Sequence, residues 1–122
     1  MDRANISERE FFAEVAKRPD MHVGRVTLEA VSSFLLGYDQ GAVRHGGRGL
    51  QEWRDWLIAN YPVAPNLGWS SHVRRIALTA EEYEATRATA LTGDQDARAV
   101  RMLFDLLDRY LAEREGAQAS TE

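Results

Sequence analysis

The sequence predicts a mostly α-helical fold, a compact single-domain bundle of about five to six helices. Three observations carry that expectation. Apolar residues recur at i, i+3 and i+4 along most of the chain, Ser or Thr stands where helix N-caps belong, and Pro or Gly separates the periodic stretches. The 122 residues make one domain the default, read here as 1–116 with 117–122 as a frayed tail. An apolar share of 44% and a charged share of 28% are those of a globular chain.

The first helix is announced by Ser7-Glu8-Arg9-Glu10, a capping box, with Ile6 and Phe11 placed for a hydrophobic staple. Phe11, Phe12, Val15 and Ala16 make its apolar stripe, and Pro19 stops it near Lys17. The following turn, Arg18 to Gly24, is expected to be a structural joint with Met21 and Val23 turned inward and Gly24 at positive φ. Thr27 caps a second helix whose stripe is Leu28, Val31, Phe34, Leu35 and Tyr38. Gly37 inside it implies close approach by another backbone or an early helix end. His45 to Gly49 reads as a flexible connector.

A third helix carries Leu50, Trp53, Leu57 and Tyr61 on one face and is ended by Pro62 and Pro65. Asn66 to Leu78 is read as a helix through Trp69, Val73, Ile76 and Ala77, although the flanking Pro and Gly would also support a short strand. Thr79-Ala80-Glu81-Glu82 repeats the capping box and opens a weakly apolar helix reaching Ala90 and Leu91, which Thr92-Gly93-Asp94 breaks. The last helix starts near Asp96, carries Val100, Leu103, Phe104, Leu107, Tyr110 and Leu111, and stops at Gly116.

Composition excludes several chemistries. No cysteine means no disulfide, thiolate metal site or cysteine nucleophile. A net charge of −4 with scattered basic residues gives no face for phosphate neutralisation, so nucleic acid is not expected as a partner. No apolar run reaches the roughly 20 residues that span a bilayer, and the N-terminus lacks a signal-peptide core; no membrane association and a cytoplasmic location are expected. His22, His45 and His72 stand far apart and are read as surface or turn residues, without a metal. Ser32-Ser33 and Ser70-Ser71 have no base in register, Asp105 and Asp108 read as solvated charge, and Gly46-Gly47-Arg48-Gly49 lacks the lysine of a phosphate loop. No catalytic residue and no cofactor are expected.

Binding candidates remain. Trp56 lies about 60° off the stripe of its helix, and Trp56 and Trp69 are the candidate interface aromatics. Between Thr79 and Asp96 the acidic residues Glu81, Glu82, Glu84, Asp94 and Asp96 face only Arg87, a candidate docking surface for a basic protein partner. The same residues also suit helix N-termini.

Lys17-Arg18-Pro19-Asp20-Met21-His22-Val23-Gly24 resembles the K-R-P-G-M-Y-I-G segment of gyrase-type ATPases, but the Glu- and Asn-bearing helix and nucleotide loops of that family do not follow. A second resemblance spans most of the chain: Phe11 with Val15, Arg18 to Gly24, Phe34 to Tyr38, the Trp-rich Gln51 to Tyr61, Gly68 to Ser70, and Phe104 to Leu111. In this order they resemble a family of small bacterial proteins found among candidate immunity proteins of polymorphic toxins. That resemblance implies a non-catalytic protein that occludes a toxin, and it carries no interface residues. The alternative is a small regulatory or scaffold protein acting through oligomerisation, with a homodimer through Trp56 or Trp69.

Overall fold

The structure, a computed structural model, describes residues 7–23, 26–50, 52–61, 69–86 and 89–121. Ser7 starts α1, Glu8–Lys17, its Oγ accepting the Glu10 amide at 3.1 Å. The helix ends at Arg18, whose amide turns back to Val15 O, as Pro19 requires. A single turn, α2 (Asp20–Val23), follows. Val23 packs against the core while Met21 is 70% exposed, correcting the expectation that both turn inward. Residues two apart on a helix point about 200° away from each other, so one turn cannot bury both. Ile6, Gly24, Pro62 and Pro65, and the roles expected of them, lie outside the described residues.

In α3, Leu28–Arg44, Thr27 Oγ1 accepts the Ala30 amide at 3.1 Å. Leu28, Val31 and Leu35 are buried, with Phe34 and Tyr38 packed partly against them. Gly37 neither ends the helix nor admits a backbone: a Cβ built there meets nothing within 4 Å. Nor is the connector after α3 a flexible one. His45 and Gly47 amides close on Ala42 O, Gly46 and Gly49 take positive φ of 85° and 65°, and the buried Asp39 carboxylate accepts the Leu50 amide. A Cβ at Gly49 would stand 2.4 Å from Asp39 Oδ1, so glycine is required twice over at that position.

Leu50 and Trp53 are fully buried at the entry to α4, Trp53–Asn60. Of the expected 66–78 helix the described part is α5, Trp69–Ala77, which buries His72 and Val73. His72 is thus a core residue and not the surface or turn residue expected. Thr79 forms both halves of the capping box with Glu82, but α6 covers only Ala80–Ala85, because the Thr86 hydroxyl turns back on Glu82 O and Tyr83 O. Ala90 and Leu91 are therefore outside it.

The last helix, α7, starts earlier and ends later than expected, at Gly93–Thr121. Thr92 and Gln95 make a second capping box, whereas at Ser7 only the N-cap half is present: Thr92 Oγ1 accepts the Gln95 amide at 3.2 Å and Gln95 Oε1 accepts the Thr92 amide at 2.9 Å. Gly116 does not stop the helix and 117–121 continues it; one glycine in a helix costs only about 1 kcal/mol against alanine. Ala99, Val100, Leu103, Phe104, Leu106, Leu107, Tyr110 and Leu111 are buried along α7, an arc of roughly 160° at 100° per residue. An arc that wide serves several neighbours, and α1, α3, α4 and α5 all pack on it. The result is an all-α bundle of seven short to long helices among the described residues, none of them long and apolar enough to cross a membrane.

Substitutions at two positions gauge this packing. Phe104→Ala, at a ring only 8% exposed, is expected to lower unfolding free energy by about 3–5 kcal/mol. Asp39→Ala, which leaves the Leu50 amide unsatisfied, should lower it by about 1–3 kcal/mol, and Asp39→Asn by less because the amide oxygen still accepts. Urea unfolding of the three variants measures both.

Candidate functional site

Three segments that bury their apolar stripes on the core leave a groove between their outer edges. It has a volume of about 910 Å³. Glu29, Ser32, Ser33 and Leu36 of α3 form one wall, Trp69, Ser70, Ser71 and Arg74 of α5 the other, with Arg54 of α4, 89–91 and Asp96 closing its ends. Trp69 packs its inner side on the buried Trp53, ring centroids 5.3 Å apart, and its outer side faces the groove. Ser32 Oγ is buried there with no hydrogen-bond partner among the described residues. The Arg74 guanidinium donates to Thr86 O and lies 6.0 Å from the Tyr83 ring, which also carries Arg75 at 5.1 Å. Two arginines and two carboxylates leave the lining without net charge, and its apolar surface comes from Trp69, Leu36 and Leu91.

The structure does not keep the five acidic candidates as one free surface. Glu82 is half-buried, its carboxylate taking the Thr79 amide at 3.0 Å and the Arg98 guanidinium. Asp94 pairs with the same Arg98 at 3.3 Å, one turn along α7. Asp96 is half-buried and accepts the Leu28 amide at 2.9 Å, so it caps α3 from the start of α7. The expectation that all five stand mostly exposed and matter little to folding is corrected at Glu82 and Asp96. Glu81 and Glu84 are exposed. Hydrogen bonding from Arg98 and then from the Thr79 backbone holds the Glu82 carboxyl well below the usual carboxylate range, at about 2.

Trp56 and Trp69 occupy different places. Trp56 Nε1 donates to the Glu113 carboxylate, and its ring stands 6.0 Å from Tyr110 and 6.3 Å from Tyr61. Trp56, Tyr61, Glu113 and Arg109 line a shallow cleft of about 370 Å³. Arg109 there is engaged by Tyr61 Oη and Asp105. Among the described residues, no group of three or more His, Asp or Glu side chains is placed to hold a metal ion.

Of the groove, sequence reasoning named Trp69 and Asp96. It missed Leu36, Arg54 and Arg74 as a set, since they converge only when α3, α4 and α5 meet. Leu36 alone carried a signal: it is a large apolar residue off the stripe of its own helix.

Because folding lowers the carboxyl of Glu82 from 4.5 to about 2, its contribution to stability is present above about pH 4.5 and is lost as pH falls towards 2. The unfolding free-energy gap between the protein and Glu82→Gln should therefore be widest near neutral pH and shrink on acidification; a gap independent of pH would contradict the pairing with Arg98. No family model matches this chain, and no curated protein or solved structure does either.

Proposed function

We propose that the protein works by binding, without catalysis, and that it is an immunity protein whose α3–α5 groove receives an extended segment of a toxin and so occludes it. The observation that carries this reading is the groove itself. At about 910 Å³ it lies at the upper end of ligand-site volumes, and it opens to solvent, which suits a chain segment better than an enclosed small molecule. Trp69 offers a rigid aromatic face already braced by Trp53, so ordering it on binding loses little conformational freedom. Around it Ser33, Ser70 and Ser71 present hydroxyls of the kind that pair with a peptide backbone. The partner chemistry is an amphipathic segment, with an apolar side chain against Trp69, Leu36 and Leu91 and backbone groups toward the serines. The acidic residues that remain exposed, Glu81, Glu84 and Asp94, would add steering for a basic toxin and little affinity.

The test is co-expression with the open reading frames beside the gene. Immunity requires that one neighbour be toxic alone and harmless with this protein. Trp69→Ala should weaken that complex by about 1–4 kcal/mol, and Ala90→Arg, an exposed rim position that can block the groove without touching the core, should abolish protection while leaving the melting curve unchanged. If no neighbour is toxic, the immunity role is wrong. If protection survives both folded variants, the groove is not the docking site.

A further inference from the structure

Arg109 and Glu113 stand one turn apart on α7, a spacing at which an arginine and a glutamate ordinarily pair, and they do not. Arg109 turns back to Asp105 at 3.0 Å and donates to Tyr61 Oη at 3.0 Å. The exposed Glu113 carboxylate instead accepts the Trp56 indole N–H, and it makes no ion pair among the described residues. With Arg109 answered by Asp105, the cleft at Trp56 is left holding one negative charge without a counter-ion.

That charge stands beside aromatic rings. Trp56 lies between Tyr110, which is buried, and Tyr61, which is half-buried and lines the cleft. The Trp56 and Tyr61 ring centroids are 6.3 Å apart with their planes tilted by 58°, so the two rings meet as a corner rather than a stack. Aromatic faces attract cations, most strongly that of tryptophan. Among the described residues arginines lie over the rings of Tyr83 and Tyr110, and none lies over Trp56 or Tyr61. At about 370 Å³ the cleft is at the small end of ligand sites, which suits a compact head group better than a chain segment. On α4, Trp56 points about 200° away from Arg54, which closes the α3–α5 groove, so cleft and groove lie on different sides of that helix.

We propose that this cleft binds a small organic cation with a methylated ammonium head, which sits against Trp56 and Tyr61 and is neutralised by Glu113. The site does not depend on the groove binding a toxin. A methylated head suits it better than a bare ammonium. It is weakly hydrated, so it leaves water at lower cost, and it needs no hydrogen-bond acceptors where Tyr61 Oη and the Glu113 carboxylate already accept from Arg109 and the indole. The indole N–H also holds the carboxylate beside the rings before the ligand arrives, so little freedom is lost on binding. The cleft is shallow, and the affinity is in the millimolar range.

An NMR titration with choline chloride at constant ionic strength tests it, followed at the indole N–H of each tryptophan, with circular dichroism melts to show that each variant is folded. Choline is expected to shift the Trp56 indole signal and to saturate. Its uncharged analogue, with carbon in place of the nitrogen, should bind at least about fivefold more weakly, and so should ethanolamine, which lacks the methyl groups. Glu113→Gln keeps an acceptor for the indole and removes the charge, and should abolish the preference for choline over the uncharged analogue. Asn60→Lys, at an exposed position in the cleft lining, brings a competing positive charge and should weaken choline binding at least about fivefold. No saturable shift at Trp56, a shift at Trp69 alone, an uncharged analogue that binds as well as choline, or folded Glu113→Gln and Asn60→Lys variants that bind choline like the wild type would each overturn the proposal. Ethanolamine binding as tightly as choline would overturn the assignment of a methylated head.

Discussion

Arg114 brings a full positive charge to a place where only 8% of its side chain meets solvent, and the fold is arranged so that this charge is never alone. One guanidinium nitrogen donates to the Glu8 carboxylate at 2.8 Å and another to the Gly49 carbonyl at 2.8 Å, while its carbon lies 5.4 Å from the Tyr110 ring centre. Glu8 in turn accepts the Tyr38 hydroxyl at 2.7 Å. Burial, and then that hydrogen bond, raise the Tyr38 phenol above its ordinary range, so it stays a donor. Four segments distant in sequence meet in this cluster. A charge so placed is tolerable only when its partners are present, which makes the position of α1, of α3 and of the turn at Gly49 a single condition.

Much of the architecture follows from that condition. Gly49 can offer its carbonyl to Arg114 because its positive φ turns the chain, and Asp39 holds the other side of the turn through the Leu50 amide. Leu50 and Trp53 then enter the core with no loss of register, and α4 starts where α7 can cover it. The exposed ion pair between Arg9 and Asp108 joins α1 to α7 again, one side chain removed from Glu8, although exposed pairs of this kind contribute little. With α3 fixed by its inner stripe and by Tyr38, its outer edge is left to face the groove.

Much of the helical plan was legible in the sequence, because it depends on neighbours. The capping residues Ser7, Thr27 and Thr79 and the stripes of α3 and α7 read correctly from spacing alone, as do Phe11, Phe12 and Val15 of α1, whereas Ala16, expected on the same stripe, is exposed. Thr92-Gly93-Asp94-Gln95 was equally local and was missed, since glycine and aspartate together read as a break and hid a capping box. What could not be read was tertiary. Arg114 is one of fourteen arginines, and nothing in its surroundings along the chain sets it apart. Asp39 sits in a polar stretch before a glycine-rich connector, where a solvated carboxylate is the ordinary reading. The acidic bias between Glu81 and Asp96 was real as composition, but Glu82 and Asp96 were taken up by Arg98 and by the start of α3, contacts that only the packing of α6 and α7 creates.

The Glu8–Arg114 pair is where this account stands or falls, and a double-mutant cycle in urea addresses it directly. Glu8→Gln, Arg114→Met and the double variant are compared with the parent protein. If the cluster anchors the fold, each single change is strongly destabilising and the two together lose less than their sum, with a coupling of at least about 1 kcal/mol. Losses that add to within about 0.5 kcal/mol would mean that the two side chains act independently, and that the apolar arc of α7 alone places α1 and the Gly49 turn.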